Sequence, residues 1–367
     1  MLDNFLSYYT LIGKIGEGSF SEVLKVKEKK SGHFYAAKRL TKYYANLDEV
    51  KACAELKTLQ KLEYNQNVLS LVNFIFEERC GKLTLIFDLM DMSMYDFIKD
   101  RTKPLSERRC KNYIFQIFQG LHHLHRNGIF HRDIKPENIL IRSETRWRNN
   151  MIGPDLIQIA DLGSVCQTDN PFPRSAYIST RWYRAPECLL TSGYYGQKMD
   201  VWAVGCCFFE FLTLNPLFPG DNELDQLHKI HLILGSPSNI ILNRFKHRNV
   251  NYNFPKCKSV GLHNLVPNLS DYGNDILKKT LSYHPDTRLS AKKILEHIYF
   301  IDLQYKKKRS SSSTSALLKS SSLTSTNSSN LGRKSIRKNS SSLTNSRGSE
   351  SSNSSKYSIV VEKLHEA

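Results

Sequence analysis

The chain has 367 residues, 40% of them hydrophobic and 11% aromatic, which exceeds one compact core and supplies enough apolar side chain for two lobes plus extensions. A net charge of +17 raises nucleic acid or an anionic membrane as partner, yet residues 305–367 hold 12 Lys or Arg against 3 Asp or Glu and so carry nine of those charges. The eight cysteines include no C-x-x-C pair, which argues against zinc or a disulfide framework and for reduced thiols in an intracellular protein; Met1-Leu2-Asp3-Asn4 does not open a signal peptide, and the most apolar window, residues 201–209, is too short to span a bilayer.

Between residues 8 and 40, apolar and polar positions alternate around glycines, as in Leu11-Ile12-Gly13-Lys14-Ile15, Val23-Leu24-Lys25-Val26 and Phe34-Tyr35-Ala36-Ala37-Lys38. With a turn at Ser31-Gly32, this predicts three antiparallel strands. Residues 47–62 place Val50, Ala54, Leu56, Leu59 and Leu62 at helical spacings, and residues 68–76 and 83–87 return to β-rich composition. The first lobe, residues 1–90, is therefore expected to be a five-stranded sheet with one helix.

Beyond Met90 the pattern turns helical. Ser106 is placed to cap a helix whose Tyr113, Ile114, Ile117, Phe118, Leu121 and Leu124 share a face, and Gly128 to stop it. Residues 199–214 are apolar nearly all round up to Asn215-Pro216, as suits a helix buried at the centre of a second lobe over residues 91–304. Leu224, Leu227, Ile230 and Leu234 form another helical face, and Ser290 caps a last short helix ending near Ile298. From residue 305 onward serine dominates and large apolar residues are too few to offset the entropy of folding, which predicts a disordered basic tail.

Several stretches carry chemistry. Gly16-Glu17-Gly18-Ser19-Phe20-Ser21-Glu22-Val23 puts two glycines between strands, where backbone amides can approach phosphate oxygens; a plain hairpin turn is the blander reading. His131-Arg132-Asp133-Ile134-Lys135-Pro136-Glu137-Asn138 gathers a potential base, cations and a metal-binding amide within eight residues, although a surface salt bridge can look the same. Asp161-Leu162-Gly163, Ser175-Ala176-Tyr177, Thr180-Arg181-Trp182-Tyr183-Arg184-Ala185-Pro186-Glu187, Asp200-Val201-Trp202-Ala203-Val204-Gly205 and Arg288 follow. His122, His123 and His125 lack a complementary Cys or carboxylate set, so core and surface roles suit them better than metal.

In this order and on these elements, the motifs resemble those of a protein kinase, with Ile134 at the Leu position of H-R-D-L-x-x-x-N. The resemblance covers about residues 8–300 and implies an α+β, two-lobed protein-kinase fold, a small antiparallel β-sheet lobe with one helix above a larger, mostly helical lobe. It implies ATP and magnesium. ATP would lie against Ile15, Gly16, Glu17, Gly18, Ser19, Phe20, Ser21, Glu22, Val23, Ala36, Lys38, Asp88, Met90 and Leu140, with Phe87 at the back of the slot. Lys38 would contact phosphates and pair with Glu55 rather than with Glu49 or Glu63; Asp133 would take the substrate hydroxyl proton, Lys135 would sit beside the transferring group, and Asn138 and Asp161 would hold the metal. Arg288 would pair with Glu187.

Ser175-Ala176-Tyr177, Thr180-Arg181-Trp182-Tyr183-Arg184 and Asn215-Pro216-Leu217-Phe218-Pro219-Gly220 resemble the cyclin-dependent and MAP kinase group, and the glycine loop, Leu89-Met90-Asp91-Met92 and Asn222-Glu223-Leu224-Asp225-Gln226 its MAPK/MAK/MRK-overlapping branch. That branch implies a serine/threonine kinase acting on protein substrates, often with proline after the target, monomeric, with an upstream activating kinase and a cytoplasmic, nuclear or ciliary setting. Ser175 and Tyr177 would be the regulatory positions, with Ser for Thr at 175 arguing against dual phosphorylation, and phosphate on Tyr177 would be bound by Arg132, Arg181 and Arg184. The chain departs from the pattern at Ser21, at Leu162 for Phe, at Ser175 for Thr, and in a segment at 142–155 that lengthens the Asn138-to-Asp161 spacing by roughly ten residues. Leu162, the insertion and Ser21 motivate a pseudokinase scaffold as the rival reading; the tail, with Arg333-Lys334-Ser335-Ile336-Arg337-Lys338, motivates nucleic-acid binding, against its simpler reading as a soluble linker.

Overall fold

Period-two strands give the first sheet two different faces. β1 (Tyr9–Gly18), β2 (Ser21–Glu28), β3 (Phe34–Tyr43), β4 (Leu71–Glu77) and β5 (Lys82–Asp88) form an antiparallel sheet in the order β1-β2-β3-β5-β4. Cross-strand partners share a face. Leu24, Ala37 and Ile86 lie opposite one another and join Phe5, Tyr9, Val26 and Ile75 in one core cluster. Val23, Lys38, Ala36 and Phe87 point the other way, because Val23 pairs with Lys38 and Ala36 with Phe87. The structure is a computed structural model describing residues 3–143, 155–174, 180–245 and 255–304.

The first core is closed by a helix that the sequence pattern does not announce. In α1 (Asp3–Tyr8), Phe5 stacks on Tyr9 at 5.6 Å and lies 5.1 Å from the Arg39 guanidinium. The single helix expected over residues 47–62 is two, α2 (Leu47–Ala52) and α3 (Ala54–Lys61). Asn46 caps α2 through Glu49 N, and Glu49 reaches back to Ala45 N at 3.0 Å. Cys53 then leaves the helical region (φ −57°, ψ 120°), and α3 starts afresh with Glu55, Leu56 and Leu59 buried. The first lobe thus has three helices rather than one.

The second lobe is built around α5 (Glu107–Arg126) and α7 (Lys198–Thr213), with the short α4 (Met94–Ile98) preceding α5 and α6 (Pro186–Leu190) preceding α7. All six predicted face residues of α5 are buried, and Gly128 follows with φ +71°. Ser106 stands at the cap position without a side-chain bond, while Glu107 accepts from Ser270 N at 3.1 Å. Every residue from Met199 to Phe211 is buried, as the all-round apolar pattern requires. Small strands complete the lobe: β6 (Met92–Ser93), β8 (Ile139–Arg142) and β9 (Leu156–Ile159) form one sheet, and β7 (Ile129–Phe130) pairs with β10 (Cys166–Gln167).

The remaining helices are α8 (Glu223–Leu234), α9 (Asn239–Leu242), α10 (Leu262–Leu265), α11 (Asp271–Thr280) and α12 (Ala291–Leu295), the last capped by Ser290 as expected. In α8 the buried stripe is Gln226, Leu227, Ile230 and His231, and the expected Leu224 is exposed. Gln226 can replace an apolar residue inside because its Oε1 accepts from Gly220 N at 3.0 Å. Contacts divide the chain after Phe300, and residues 301–304 make a helical turn. Among the described residues no helix is long and apolar enough to cross a membrane. The insertion beyond Ser143 and the tail from residue 305 lie outside the described residues.

Glu187 on α6 and Arg288 form a fully buried pair, 2.6 and 3.0 Å across two oxygens, with the guanidinium also 2.8 Å from Lys198 O. Such a pair is worth little net against an apolar replacement, but removing one partner strands a charge in the core. Arg288→Met is expected to lower the unfolding free energy by about 3–5 kcal/mol in urea denaturation, and adding Glu187→Leu to recover much of that loss.

Candidate active site

The His131–Asn138 stretch is shaped by a carboxylate from α7. Buried Asp200 accepts from His131 N and Arg132 N, both at 2.8 Å, and its Oδ2 also lies 2.9 Å from His125 Nε2. Held this way, Arg132 adopts φ +69°. His131, a potential base by residue type, has both ring nitrogens engaged: Nδ1 accepts from Asp133 N at 3.2 Å and Nε2 faces Ala160 O at 2.9 Å, so one tautomer satisfies both. His131 is a strut, and the open acid–base group is Asp133.

Asp133 is buried with its two oxygens treated differently. Oδ2 accepts from Asn138 Nδ2 at 2.9 Å and lies 3.2 Å from Lys135 Nζ. Oδ1 has no hydrogen-bond partner among the described residues. A buried, unpaired carboxylate oxygen is costly and is suited to a hydroxyl donor. Lys135 Nζ also reaches Thr180 Oγ1 at 3.3 Å, which ties the loop to the segment after residue 179. Thr180 was legible only as part of a motif string; its contact with Lys135 is tertiary.

The second centre forms where the lobes meet. Lys38 Nζ lies 2.6 Å from Glu55 Oε1 and 2.7 Å from Asp161 Oδ1, so the three residues named from spacing come together across β3, α3 and the turn at Leu162–Ser164. Asp161 sits at φ +62° and its Oδ1 accepts from Gly163 N at 3.2 Å. A Cβ at Gly163 would stand 3.0 Å from that oxygen and 3.3 Å from Glu55 Oε2, so the glycine lets both carboxylates close. Burial alone would raise the Asp161 carboxyl, but Lys38 outweighs it and holds Asp161 below the usual carboxylate range. Burial likewise opposes the Lys38 charge, and the two carboxylates overcome it, keeping Lys38 protonated. Leu162 is buried against α3.

Beside this ion triad runs a slot on the open face of the first sheet. Val23 and Ala36 are half-buried on the Lys38 face, Phe87 and Met90 are buried, Leu140 on β8 is half-buried, and Ile15 and Asp88 are exposed at the rim. In the β1–β2 turn Gly18, Ser19 and Phe20 are exposed, and a Cβ at Gly16 would touch Val23 at 3.5 Å. The side chains of Glu17 and Glu22 are drawn to Lys14 at 2.7 Å and Arg39 at 3.4 Å, and Ser21 opposes Gly18, so this stretch can offer a ligand mainly main-chain groups. Asn138 Nδ2 donates both to Asp133 O and to Asp133 Oδ2, which leaves the side-chain Oδ1 to act as a ligand, and Ala160 N donates to the main-chain oxygen of Asn138 at 2.9 Å, which sets Asn138 next to Asp161. Among the described residues no group of three or more His, Cys, Asp or Glu is placed to hold a metal ion by itself. Two oxygen-bearing side chains suit a hard cation that takes its other ligands from phosphate and water.

Comparison with known proteins agrees with this arrangement. The model of the protein kinase domain matches residues 9–300. The chain belongs to the protein kinase family. It is 44% identical over 293 residues to the human (Homo sapiens) MAPK/MAK/MRK overlapping kinase, covering 80% of this chain and 67% of that protein. It is 37% identical over 297 residues to the serine/threonine-protein kinase MAK of Rattus norvegicus, and 36% identical to the serine/threonine-protein kinase ICK of the same species, again with 80% of this chain but 46% and 45% of those proteins.

Within this kinase domain the three expected phosphate-binding arginines each have protein partners. Arg132 donates to Ser164 O and to Tyr195 OH at 3.1 Å, whereas Arg181 donates to Asp221 O at 2.8 Å and Arg184 to Glu223 Oε1 at 3.2 Å. Ser175 and Tyr177 lie outside the described residues. Next to Arg184, Tyr183 donates to Glu210 Oε2 of α7 at 2.7 Å. Burial pushes the Glu210 carboxyl up to about 7 from 4.5, and nearby Glu137 adds to the push while the Tyr183 hydroxyl opposes it. The folded state therefore binds more protons than the unfolded one between these values, and stability falls as pH rises through that window. At about 1.4 kcal/mol per unit, Glu210→Gln is expected to gain roughly 2–3 kcal/mol relative to wild type between pH 4.5 and pH 8 in denaturation curves.

Proposed function

We propose that this kinase is an active serine/threonine kinase that transfers the γ-phosphate of ATP, with magnesium, to hydroxyls of protein substrates. The observation that carries this reading is Asp133 Oδ1, buried and without a hydrogen-bond partner among the described residues, beside Lys135 on a loop fixed by Asp200. The serine/threonine class is supported by the names of the relatives MAK and ICK.

Bound ATP and its metal supply the phosphoryl group and neutralise charge around it. The residues of the chain do the rest by positioning. Val23, Ala36, Phe87, Met90 and Leu140, with Ile15 at the rim, hold the base; main-chain groups of residues 15–23 cover the phosphates and those of Asp88 and Met90 read the base edge. Lys38, oriented by Glu55, grips phosphate oxygens. Asn138 and Asp161 offer oxygen ligands. Asp133 takes the hydroxyl proton at Oδ1 while Lys135 balances charge beside it. The assembled Lys38–Glu55–Asp161 triad favours the enzyme over a pseudokinase scaffold, since Leu162 and Ser21 leave it intact.

The finer parts of the reading are a catalytic unit of two lobes, residues 1–90 and 91–304, followed by a basic tail at 305–367; a preference for proline after the target residue; and activation by phosphate at Tyr177, with Ser175 as a second acceptor and Arg132, Arg181 and Arg184 as candidate partners. Asp133→Asn is expected to lower kcat on a peptide about 100-fold or more with the KM for ATP nearly unchanged. Equal rates for the two proteins reject the active-kinase reading. Between peptides that differ only in Pro or Ala after the target, the Pro peptide is expected to show a kcat/KM roughly tenfold higher.

Tyr177→Phe is expected to lower the rate of enzyme purified after incubation with ATP, and mass spectrometry of that active wild-type enzyme to find phosphate on Tyr177. Fully active enzyme without that phosphate excludes the requirement.

A further inference from the structure

We propose that Arg174 is a positioning residue that clasps both ends of the segment between Asp161 and Tyr195 onto the catalytic loop through protein contacts alone; the inference rests on the kinase reading above. Arg174 is 9% exposed, yet among the described residues it forms no ion pair with a carboxylate. Its guanidinium is met by main-chain oxygens instead: Nη1 donates to Tyr195 O, and Nη2 donates to Thr168 O at 3.0 Å and Asn170 O at 3.2 Å. The same cation stands 4.0 Å from the centre of the Phe172 ring and 5.2 Å from that of Phe130.

These contacts join three separate pieces of chain. Thr168 and Asn170 lie where the segment begins, Tyr195 where it ends, and Phe130 is the residue that leads into His131. The backbone closes at the same place: Arg174 N donates to Gly193 O at 3.0 Å, and a Cβ on Gly193, which has φ +81°, would come within 2.2 Å of Arg174 O. Tyr195 in turn packs edge-on against Phe130 at 6.3 Å, and its hydroxyl accepts from Arg132 Nη1 at 3.1 Å. The Arg174 fork thus reaches Arg132 through one tyrosine.

The planar fork is what the arrangement needs. Fixed N–H directions serve carbonyls on two sides while the flat face lies on rings, which a lysine ammonium cannot reproduce. Carbonyl oxygens and ring faces neutralise nothing, so the clasp requires no phosphate to form. Asp161 and Thr180, the partners of Lys38 and Lys135, belong to the segment that this clasp anchors. Loosening its ends displaces groups around Asp133, where small misplacements are expensive. Arg174 therefore sets the order of the segment on which phosphorylation at Ser175 or Tyr177 would act.

The test uses the full chain carrying Ser175→Ala and Tyr177→Phe, with and without Arg174→Lys. The parent is expected to retain a measurable rate, and adding Arg174→Lys to lower kcat on a peptide roughly 10- to 100-fold while the KM for ATP stays within about twofold and the melting temperature holds. In hydrogen exchange, the amides of residues 168 and 174 should lose protection in the Arg174→Lys protein, and those of β3 and β5 should not. A parent without activity, beside an active wild type, overturns the proposal. So does an Arg174→Lys protein with unchanged kcat and exchange, or one in which kcat, ATP affinity and melting temperature fall together, which marks a merely structural residue. If wild type itself transfers no phosphate, the kinase reading fails, and the exchange pattern alone decides whether Arg174 clasps the segment.

Discussion

The carboxylate of Asp200 is the constraint on which the active site depends. It sits in the first turn of the most deeply buried helix, α7, and its two oxygens fix consecutive amides of the catalytic loop while a third donor, His125, comes from the end of α5. Bonds from main-chain amides to an ionised, buried acceptor are among the stronger ones, and the helix N-terminus favours the negative charge there. Because His131 and Arg132 are fixed by backbone, their side chains are free to act as braces. His131 braces Ala160, next to Asp161, and Arg132 braces Ser164 beyond it. One anion in the core thus sets the spacing between the loop that carries Asp133 and the turn that carries Asp161.

The same economy appears on the side of the slot. β8 carries Leu140 in its middle, begins directly after Asn138 and ends with Arg142, whose guanidinium donates to Leu89 O at 3.1 Å; Ser143 N donates to Asp91 Oδ2 at 2.8 Å. One short strand therefore fixes Asn138, the proposed oxygen ligand, together with the floor of the slot and the chain linking the lobes. A strand of four residues can do so because its neighbours β6 and β9 bind both its edges, leaving little freedom along its length.

Much of this was legible in the sequence, for reasons that differ by element. The faces of α5 and α7 read correctly because burial there is nearly continuous and the helices are long enough for periodicity to dominate. Lys38, Glu55, Asp133, Asn138 and Asp161 could be named because the chemistry demands those side chains at constrained spacings, and the structure brings them into two contacting centres. The break at Cys53 was not legible, since Val50 and Leu56 fit one helix as well as two. α1 is under two turns long, and its place is decided by the ring of Phe5 against a sheet face, a tertiary fact. The buried stripe of α8 was misplaced because periodicity counts apolar residues, and Gln226 enters the core by satisfying Gly220. Arg181 and Arg184 stand in a motif that points to phosphate, whereas nothing local distinguishes Arg174 from any cation beside a serine, and its carbonyl and ring partners are tertiary.

How a buried arginine is satisfied separates two kinds of work in this molecule. Arg288 is bound by the carboxylate of Glu187, so each partner is indispensable to the other: removing either leaves a full charge in a dry core. That joint is costly to open, and it lies between elements that both belong to the second lobe. Arg174 and Arg132 use neutral carbonyls, a hydroxyl and ring faces. When such a contact opens, carbonyls near the surface can be rehydrated and the cation can move toward water, so the cost of opening is far smaller than for a stranded carboxylate. Segments that must change position are therefore better held by arginines of the second kind. The ion-paired arginine joins two elements of the second lobe, and the carbonyl-bonded ones hold the described ends of the segment beside Asp133 through contacts that water can replace.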